Sequence, residues 1–166
     1  MLAKAPLTIE HDLADQKAYR DAISRLASGV AIVAAGQGHD IAASTVTSLS
    51  SLSIEPPAVM LALMRNSRTL AAIRRDRVFG IDILSAGQEA VADAMAGRLG
   101  EKSFDADWLP GGAGAPPRLR RSLAHLSCVL AEVHDWTSHA ILVAHVTAVE
   151  HDADAQPLLH WNRRYL

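Results

Sequence analysis

A chain of 166 residues, 49% hydrophobic and 20% charged, fits one folded domain and excludes an intrinsically disordered polymer. The formal net charge is −2 with no lysine-rich block, so a nucleic-acid partner has no electrostatic footprint; Arg118, Arg120 and Arg121 form too short a basic cluster to supply one. The single cysteine, Cys128, excludes an intrachain disulfide, which points to a reducing, cytoplasmic setting with this thiol as a small buried hydrophobe in the apolar stretch 126–133.

Residues 1–18 carry acidic and polar groups where a signal peptide needs an apolar core. No apolar run approaches the ~20 residues of a membrane helix, so no membrane partner is expected. Residues 1–15 read as a loose N-terminal arm, and 16–166 as one domain. Ala18, Ala22, Ile23 and Leu26 have the spacing of one helix face, predicting a helix over 16–26 that Gly29 ends. A β-prone run over 30–35, the turn residues Gly36-Gln37-Gly38-His39-Asp40 and a second run over 41–46 predict a hairpin. The serine-rich segment 47–57 reads as a loop closed by Glu55-Pro56-Pro57, and 58–63 as a third strand.

Asn66-Ser67-Arg68-Thr69 supplies cap residues for a helix over 70–75, followed by a strand over 78–84. Ser85 and Gln88 have capping-box spacing for a helix running to about Leu99. The Gly/Pro/Ala stretch 111–117 is expected to be the most flexible interior segment, and β patterning returns over 126–134, 140–149 and 158–161. Strand pairs on both sides of a helical middle, without regular βαβ alternation, argue against a doubly wound parallel sheet. The expected class is mainly β with flanking helices (α+β): a small antiparallel barrel or sandwich.

Three chemical signals fail on inspection. Gly97-Arg98-Leu99-Gly100-Glu101-Lys102-Ser103 has Glu101 where a phosphate loop needs glycine, and it follows a helix rather than a strand. Gly111-Gly112-Ala113-Gly114 lacks dinucleotide-binding spacing. No pair among the eight histidines, Cys128 and the carboxylates has structural-zinc spacing, so no metal is expected, and no serine stands in a nucleophile elbow.

Two hydroxyl-rich segments remain, each after a predicted strand: Thr45-Val46-Thr47-Ser48 with Ser50, Ser51 and Ser53 beyond it, and Asn66-Ser67-Arg68-Thr69 at a helix start. Short hydroxyls and free backbone amides hold phosphates and polyols, and a helix N-terminus favours an anion. The same residues also serve as ordinary caps and turns, so this pattern alone leaves both readings open.

The chain resembles the short-chain flavin reductases of two-component flavin-dependent monooxygenases, members of the flavin-reductase-like FMN-binding split-barrel family. The resemblance begins at Tyr19-Arg20-Asp21-Ala22 and Leu26-Ala27-Ser28-Gly29-Val30. It continues through the hydroxyl loop from Thr45 to Pro57, Arg65-Asn66-Ser67-Arg68-Thr69, and Phe79-Gly80-Ile81-Asp82-Ile83-Leu84-Ser85 with Gln88. It ends with Pro157-Leu158-Leu159-His160-Trp161 and Arg164-Tyr165. The chain departs from the family pattern at Thr137-Ser138, where glycine-aspartate often precedes the histidine aligned with His139. Arg163 or Arg164 stands for a glycine before the terminal Arg-Tyr, and Ala43 or Ser44 for one before the hydroxyl loop.

The resemblance implies an antiparallel Greek-key split barrel, FMN or FAD as flavin, NADH or NADPH as donor, and a homodimer serving a separate oxygenase. It places Thr45, Val46, Thr47, Ser48 and Ser51 about the isoalloxazine and ribityl groups, and Asn66, Ser67, Arg68 and Thr69 about the phosphate. His139 is the candidate contact to nicotinamide or flavin in catalysis, and Tyr165 the residue closing over the pocket. A flavin carrier or sensor without turnover, or an interaction module whose serines are only caps and turns, are the competing expectations.

Overall fold

The computed structural model of the chain describes residues 13–97, 108–112 and 114–166. Most of the predicted N-terminal arm and the failed phosphate-loop run beyond Gly97 lie outside the described residues. Strand β2 (Ala31–Ala35) lies at the centre of the packing, every one of its residues being buried. Successive side chains of a strand point to opposite faces, and here both faces are covered. Ala31, Val33 and Ala35 enter one core with Leu61, Ile73, Phe79 and Leu142. Val30, Ile32 and Ala34 enter a second with Leu84, Met95 and Leu158.

Around β2 the strands β3 (Ala42–Val46), β4 (Ser50–Ile54), β5 (Pro57–Met64), β6 (Val78–Ile83), β9 (Ala124–Trp136) and β10 (His139–His151) form one antiparallel sheet. Its order is β3-β2-β6-β9-β10-β5-β4. Among the strands of this sheet β6, β9 and β10 are consecutive and adjacent, while β5, which precedes them, lies beside β10, the Greek-key arrangement. Strand β3 meets β5 across the open seam, so the sheet curls into a split barrel. Helices α2 (Arg68–Asp76) and α3 (Glu89–Met95) pack against β2 and β3. The short strands β1 (Ser28–Gly29), β11 (Leu159–Trp161) and β12 (Arg164–Tyr165) form a second sheet, and β7 (Trp108–Leu109) pairs with β8 (Arg118–Leu119).

The expected fold class holds, with local corrections. Helix α1 (Gln16–Ile23) starts where predicted, its N-terminus capped by the Asp15 carboxylate accepting from Ala18 N–H at 2.9 Å. It stops before Leu26, and Gly29 lies in β1 rather than at the helix end. The helix buries no residue; polar contacts to the C-terminal segment hold it, Asp21 pairing with Arg163 and Asn162 N–H donating to Ser24 O at 2.8 Å. The predicted loop over 47–57 contains strand β4, hidden from the pattern because it is a sheet edge with no buried side chain. Helix α3 begins at Glu89; the Ser85–Gln88 pair forms a preceding turn in which Gln88 Oε1 accepts from Ser85 N–H at 2.9 Å. The helix ends at Met95, short of the predicted Leu99, with Ala96 as its C-cap and Gly97 beyond it at φ +77°.

The hairpin turn at 36–40 is as expected, and Gly36 has φ +95° where an added Cβ would fall on the Asp40 carbonyl. The end of the Gly/Pro/Ala stretch is anchored: Pro116 and Pro117 are buried against Gly80, whose position leaves no room for a Cβ, with Pro117 O 2.7 Å away. Beside them a buried carboxylate, Asp82, accepts from Leu119 N–H at 3.1 Å and Ser122 Oγ–H at 3.2 Å, with His125 Nδ1 at 2.9 Å. This cluster ties β6 to the start of β9.

Candidate functional site

The ends of β3 and β5, the start of α2, the end of α3 and the first residue of β10 surround a cavity of about 520 Å³. That volume lies within the roughly 300–1,000 Å³ typical of small-molecule sites. Thr45, Val46, Thr47 and Ser48 form one wall, Asn66 and Ser67 another. Leu63, Met64, Met95 and Ala96 supply apolar surface, and His139 stands at the rim.

Several hydroxyls that sequence reasoning assigned to ligand contact are committed to the fold. Thr45 Oγ1–H donates to Ala92 O at 2.6 Å, fixing α3 to β3. Ser48 Oγ donates to Ala62 O at 3.1 Å and accepts from Ala62 N–H at 3.0 Å, joining the segment after β3 to β5 in place of a backbone pair. Thr69 is buried, its Oγ1 2.8 Å from Ser44 Oγ. These bonds shape the wall and set where its backbone faces.

Helix α2 opens toward the cavity. Ser67 is its N-cap, with Oγ accepting from Leu70 N–H at 3.2 Å. The first two helical amides, those of Arg68 and Thr69, have no acceptor within a helix, and the helix dipole is positive at this end. An anion seated beside Asn66 and Ser67 meets both.

His139 is presented by the two-residue turn Thr137-Ser138 between β9 and β10, where Trp136 and His139 are register partners. Thr137 has φ +44°, strained backbone for a β-branched residue. The turn is held in place: Arg65 N–H donates to Ser138 O at 3.0 Å, Arg65 Nη1–H to Thr137 O at 3.2 Å, and Arg74 Nη2 lies 2.6 Å from Asp135 Oδ1. Ser138 Oγ sits 2.9 Å from His139 Nδ1.

A smaller cavity of about 190 Å³ adjoins the first, sharing Thr45, Val46, Thr47 and Ala96 and adding Val30, His160 and Tyr165. Tyr165 Oη–H donates to Asp93 Oδ1 at 3.0 Å, and its ring meets His160 edge-on at 5.5 Å. The C-terminal strand is thereby bound to α3.

Of the residues singled out from sequence, Thr45, Val46, Thr47, Ser48, Asn66, Ser67 and His139 line the larger cavity, and Tyr165 the smaller. The two loops do converge. Ser51 lies on β4 and lines neither cavity; Arg68 and Thr69 flank the helix start, with Thr69 turned into the core. Met64, Met95, Ala96 and Asp93 were not anticipated, since apolar and small residues give no chemical signal and Asp93 is one acid among many on a helix; Ser44 had entered only as a departure from the family pattern.

Among the described residues the one cysteine is no activated nucleophile. Cys128 is fully buried, and desolvation raises its thiol pKa to about 12. Among the described residues no group of three His, Cys, Asp or Glu side chains converges as metal ligands do. What the arrangement offers is a place to hold and orient: apolar side chains for a flat ring, amides and hydroxyls for a polyol and a phosphate. That donor set fits a flavin mononucleotide.

Residues 23–166 match the family described as flavin reductase like domain. The chain is 35% identical over 150 residues to the reductase component of 4-hydroxyphenylacetate 3-monooxygenase from Thermus thermophilus, covering 90% of this chain and 95% of that protein. It is 34% identical over 150 residues to an FMN reductase (NADH), RutF 2, from Methylorubrum extorquens, covering 89% and 87%. Its fold superimposes with a TM-score of 0.82, at 26% identity and covering 92% and 97%, on BorF, the flavin reductase component of a bacterial two-component tryptophan halogenase. A match over most of the chain, on the residues that enclose the cavity, assigns this protein to the flavin reductase like domain family.

Proposed function

We propose that the protein reduces FMN or FAD with NADH or NADPH and passes the reduced flavin to a separate oxygenase. The observation that carries this reading is the convergence of Thr47 and Ser67, from two separate loops, on one cavity with an apolar floor and a helix N-terminus in its wall. The name of the Methylorubrum relative, an FMN reductase (NADH), favours a flavin and NADH, and that of the Thermus relative, the reductase component of a monooxygenase, favours a separate oxygenase.

In this reading a flavin held in the cavity would supply the redox chemistry, as an acceptor for hydride from a nicotinamide donor. Asn66, Ser67 and the first amides of α2 hold the phosphate, with Arg68 adding charge at the mouth. The segment from Thr45 to Ser48, braced by its bonds to Ala92 and Ala62 and lining the cavity, would supply the hydrogen-bond donors that stabilise the negative charge of a reduced flavin. Met64, Leu63 and Met95 exclude water from one side. His139 contacts the nicotinamide or the flavin, and Tyr165 closes the adjoining recess.

A homodimer belongs to the same reading. Leu52, Ile54, Met60 and Trp136 stand exposed on β4, β5 and β9, Ile54 at 90% and Trp136 at 65%, an apolar surface that a second copy would cover. A lone buried cysteine suits a cytoplasmic setting. The test is oxidation of NADH or NADPH dependent on added flavin. No oxidation with either donor and either flavin overturns the proposal, and flavin retained without turnover would favour a carrier.

A further inference from the structure

Resting on that reading and deepening it, we propose that Ser138 is a positioning residue that sets the tautomer of His139. Its hydroxyl donates to Nδ1, holding the proton on Nε2, so that the ring presents an N–H donor to a ligand carbonyl oxygen in the cavity.

The geometry is specific. Ser138 Oγ and His139 Nδ1 are 2.9 Å apart. Among the described residues, Ser138 Oγ is the one side-chain or backbone atom hydrogen-bonded to the imidazole. His139 lines the larger cavity, whereas Ser138 lies outside it, beside Arg65, Asn66 and Arg74. The serine therefore occupies the Nδ1 edge, and Nε2 is the ring nitrogen left to meet a ligand. A neutral imidazole carries one donor and one acceptor, and the partner of one nitrogen fixes the role of the other. Neutral imidazole side chains intrinsically prefer the Nε2 proton, and with the proton there Nδ1 is an acceptor to which the Ser138 hydroxyl, 2.9 Å away, can donate. The hydrogen bond then reinforces the tautomer that the ring already prefers.

The backbone is built to keep the serine there. Ser138 O accepts from Arg65 N–H at 3.0 Å, and Thr137, held at φ +44°, has its own carbonyl bound by Arg65 Nη1 at 3.2 Å. Strained backbone persists where surrounding contacts over-determine it, and it clusters at functional sites. Carbonyl oxygens occur both on the nicotinamide carboxamide and on the isoalloxazine ring, and the kinetics below separate these sources.

The experiment compares wild type with Ser138→Ala and Ser138→Thr. Long-range 1H–15N correlation of the imidazoles, with His139 assigned through His139→Asn, reads the tautomer without ligand. Wild type and Ser138→Thr are expected to show Nε2 protonated and Nδ1 bare; in Ser138→Ala the two nitrogen shifts converge as the tautomers mix. In steady state Ser138→Ala raises one KM by roughly threefold to tenfold, the effect of weakening one neutral hydrogen bond, with kcat changed less and Ser138→Thr restoring it. A rise confined to the nicotinamide donor identifies its carboxamide; a rise confined to FMN identifies the flavin. Identical nitrogen shifts in wild type and Ser138→Ala overturn the inference, as does unchanged KM for both substrates. An inactive wild type overturns the proposed function alone, because the nitrogen shifts still report whether Ser138 sets the tautomer.

Discussion

Ser44 Oγ lies 2.8 Å from Thr69 Oγ1, joining strand β3 to helix α2 at the cavity wall, which Ser44 lines. This bond fixes the distance between the two loops that line the cavity, because Thr45 and Val46 follow one partner and Ser67 closely precedes the other. Replacing Thr69 by valine keeps the shape and removes the acceptor and donor. The expected cost is about 1–2 kcal/mol in unfolding free energy, together with flavin affinity weakened several-fold. Urea unfolding and flavin-fluorescence titration of the same preparation check both; a destabilised variant that binds flavin as wild type does would show the bond to be structural only.

Ser67 separates capping from ligand binding. Aspartate caps helices as well as serine does, so Ser67→Asp should leave stability within about 0.5 kcal/mol of wild type. Its carboxylate would repel a phosphate at the same helix start. FMN affinity should therefore fall at least tenfold while riboflavin, which lacks the phosphate, binds within about twofold of wild type. Equal losses for both ligands would move the phosphate away from α2.

Ser67 and the Ser44–Thr69 pair differ in how far the local sequence discloses them. Ser67 was legible because capping is a local rule: its side chain serves an amide three residues ahead. The Ser44–Thr69 bond was not, since it joins residues 25 apart and only the curl of the sheet brings them together. The same distinction runs through the fold. The hairpin of β2 and β3 announced itself through a turn that needs Gly36, whereas β4 has no buried side chain and so no apolar alternation to read. Asp82 and His125 sit in apolar strand patterns, and their pairing, 43 positions apart, is a consequence of register between β6 and β9. The candidate loops could be named in advance; which hydroxyls face the cavity and which brace its wall is decided by tertiary packing.

Cys128 makes a pH-dependent prediction. Burial raises its pKa from 9.0 to about 12, so the folded state keeps a proton that the unfolded chain releases. Folded protein binds more protons than unfolded between those values, and stability from this group is complete below pH 9 and falls as pH rises toward 12. The limiting slope is about 1.4 kcal/mol per pH unit. Unfolding free energies at pH 8 and pH 10.5 should therefore diverge more in wild type than in Cys128→Ala. The native thiol should also resist alkylation at pH 8 until denaturant is added; rapid labelling of folded protein would contradict the buried position.

Tyr165 tests whether the C-terminal strand shapes the recess beside the main cavity. Its hydroxyl donates to Asp93 Oδ1 at 3.0 Å and its ring packs edge-on against His160. Tyr165→Phe removes the hydroxyl and leaves the ring contact, so β12 stays in place while one tie to α3 is lost. Unfolding free energy should drop by about 0.5–1.5 kcal/mol, and the KM for the nicotinamide donor should rise a few-fold if that recess takes part in binding. Tyr165→Ala removes both contacts and should raise the same KM further. A phenylalanine variant with lowered stability and unchanged KM for donor and flavin would restrict the hydroxyl to fastening the chain end, leaving the recess to be shaped by His160 and Val30.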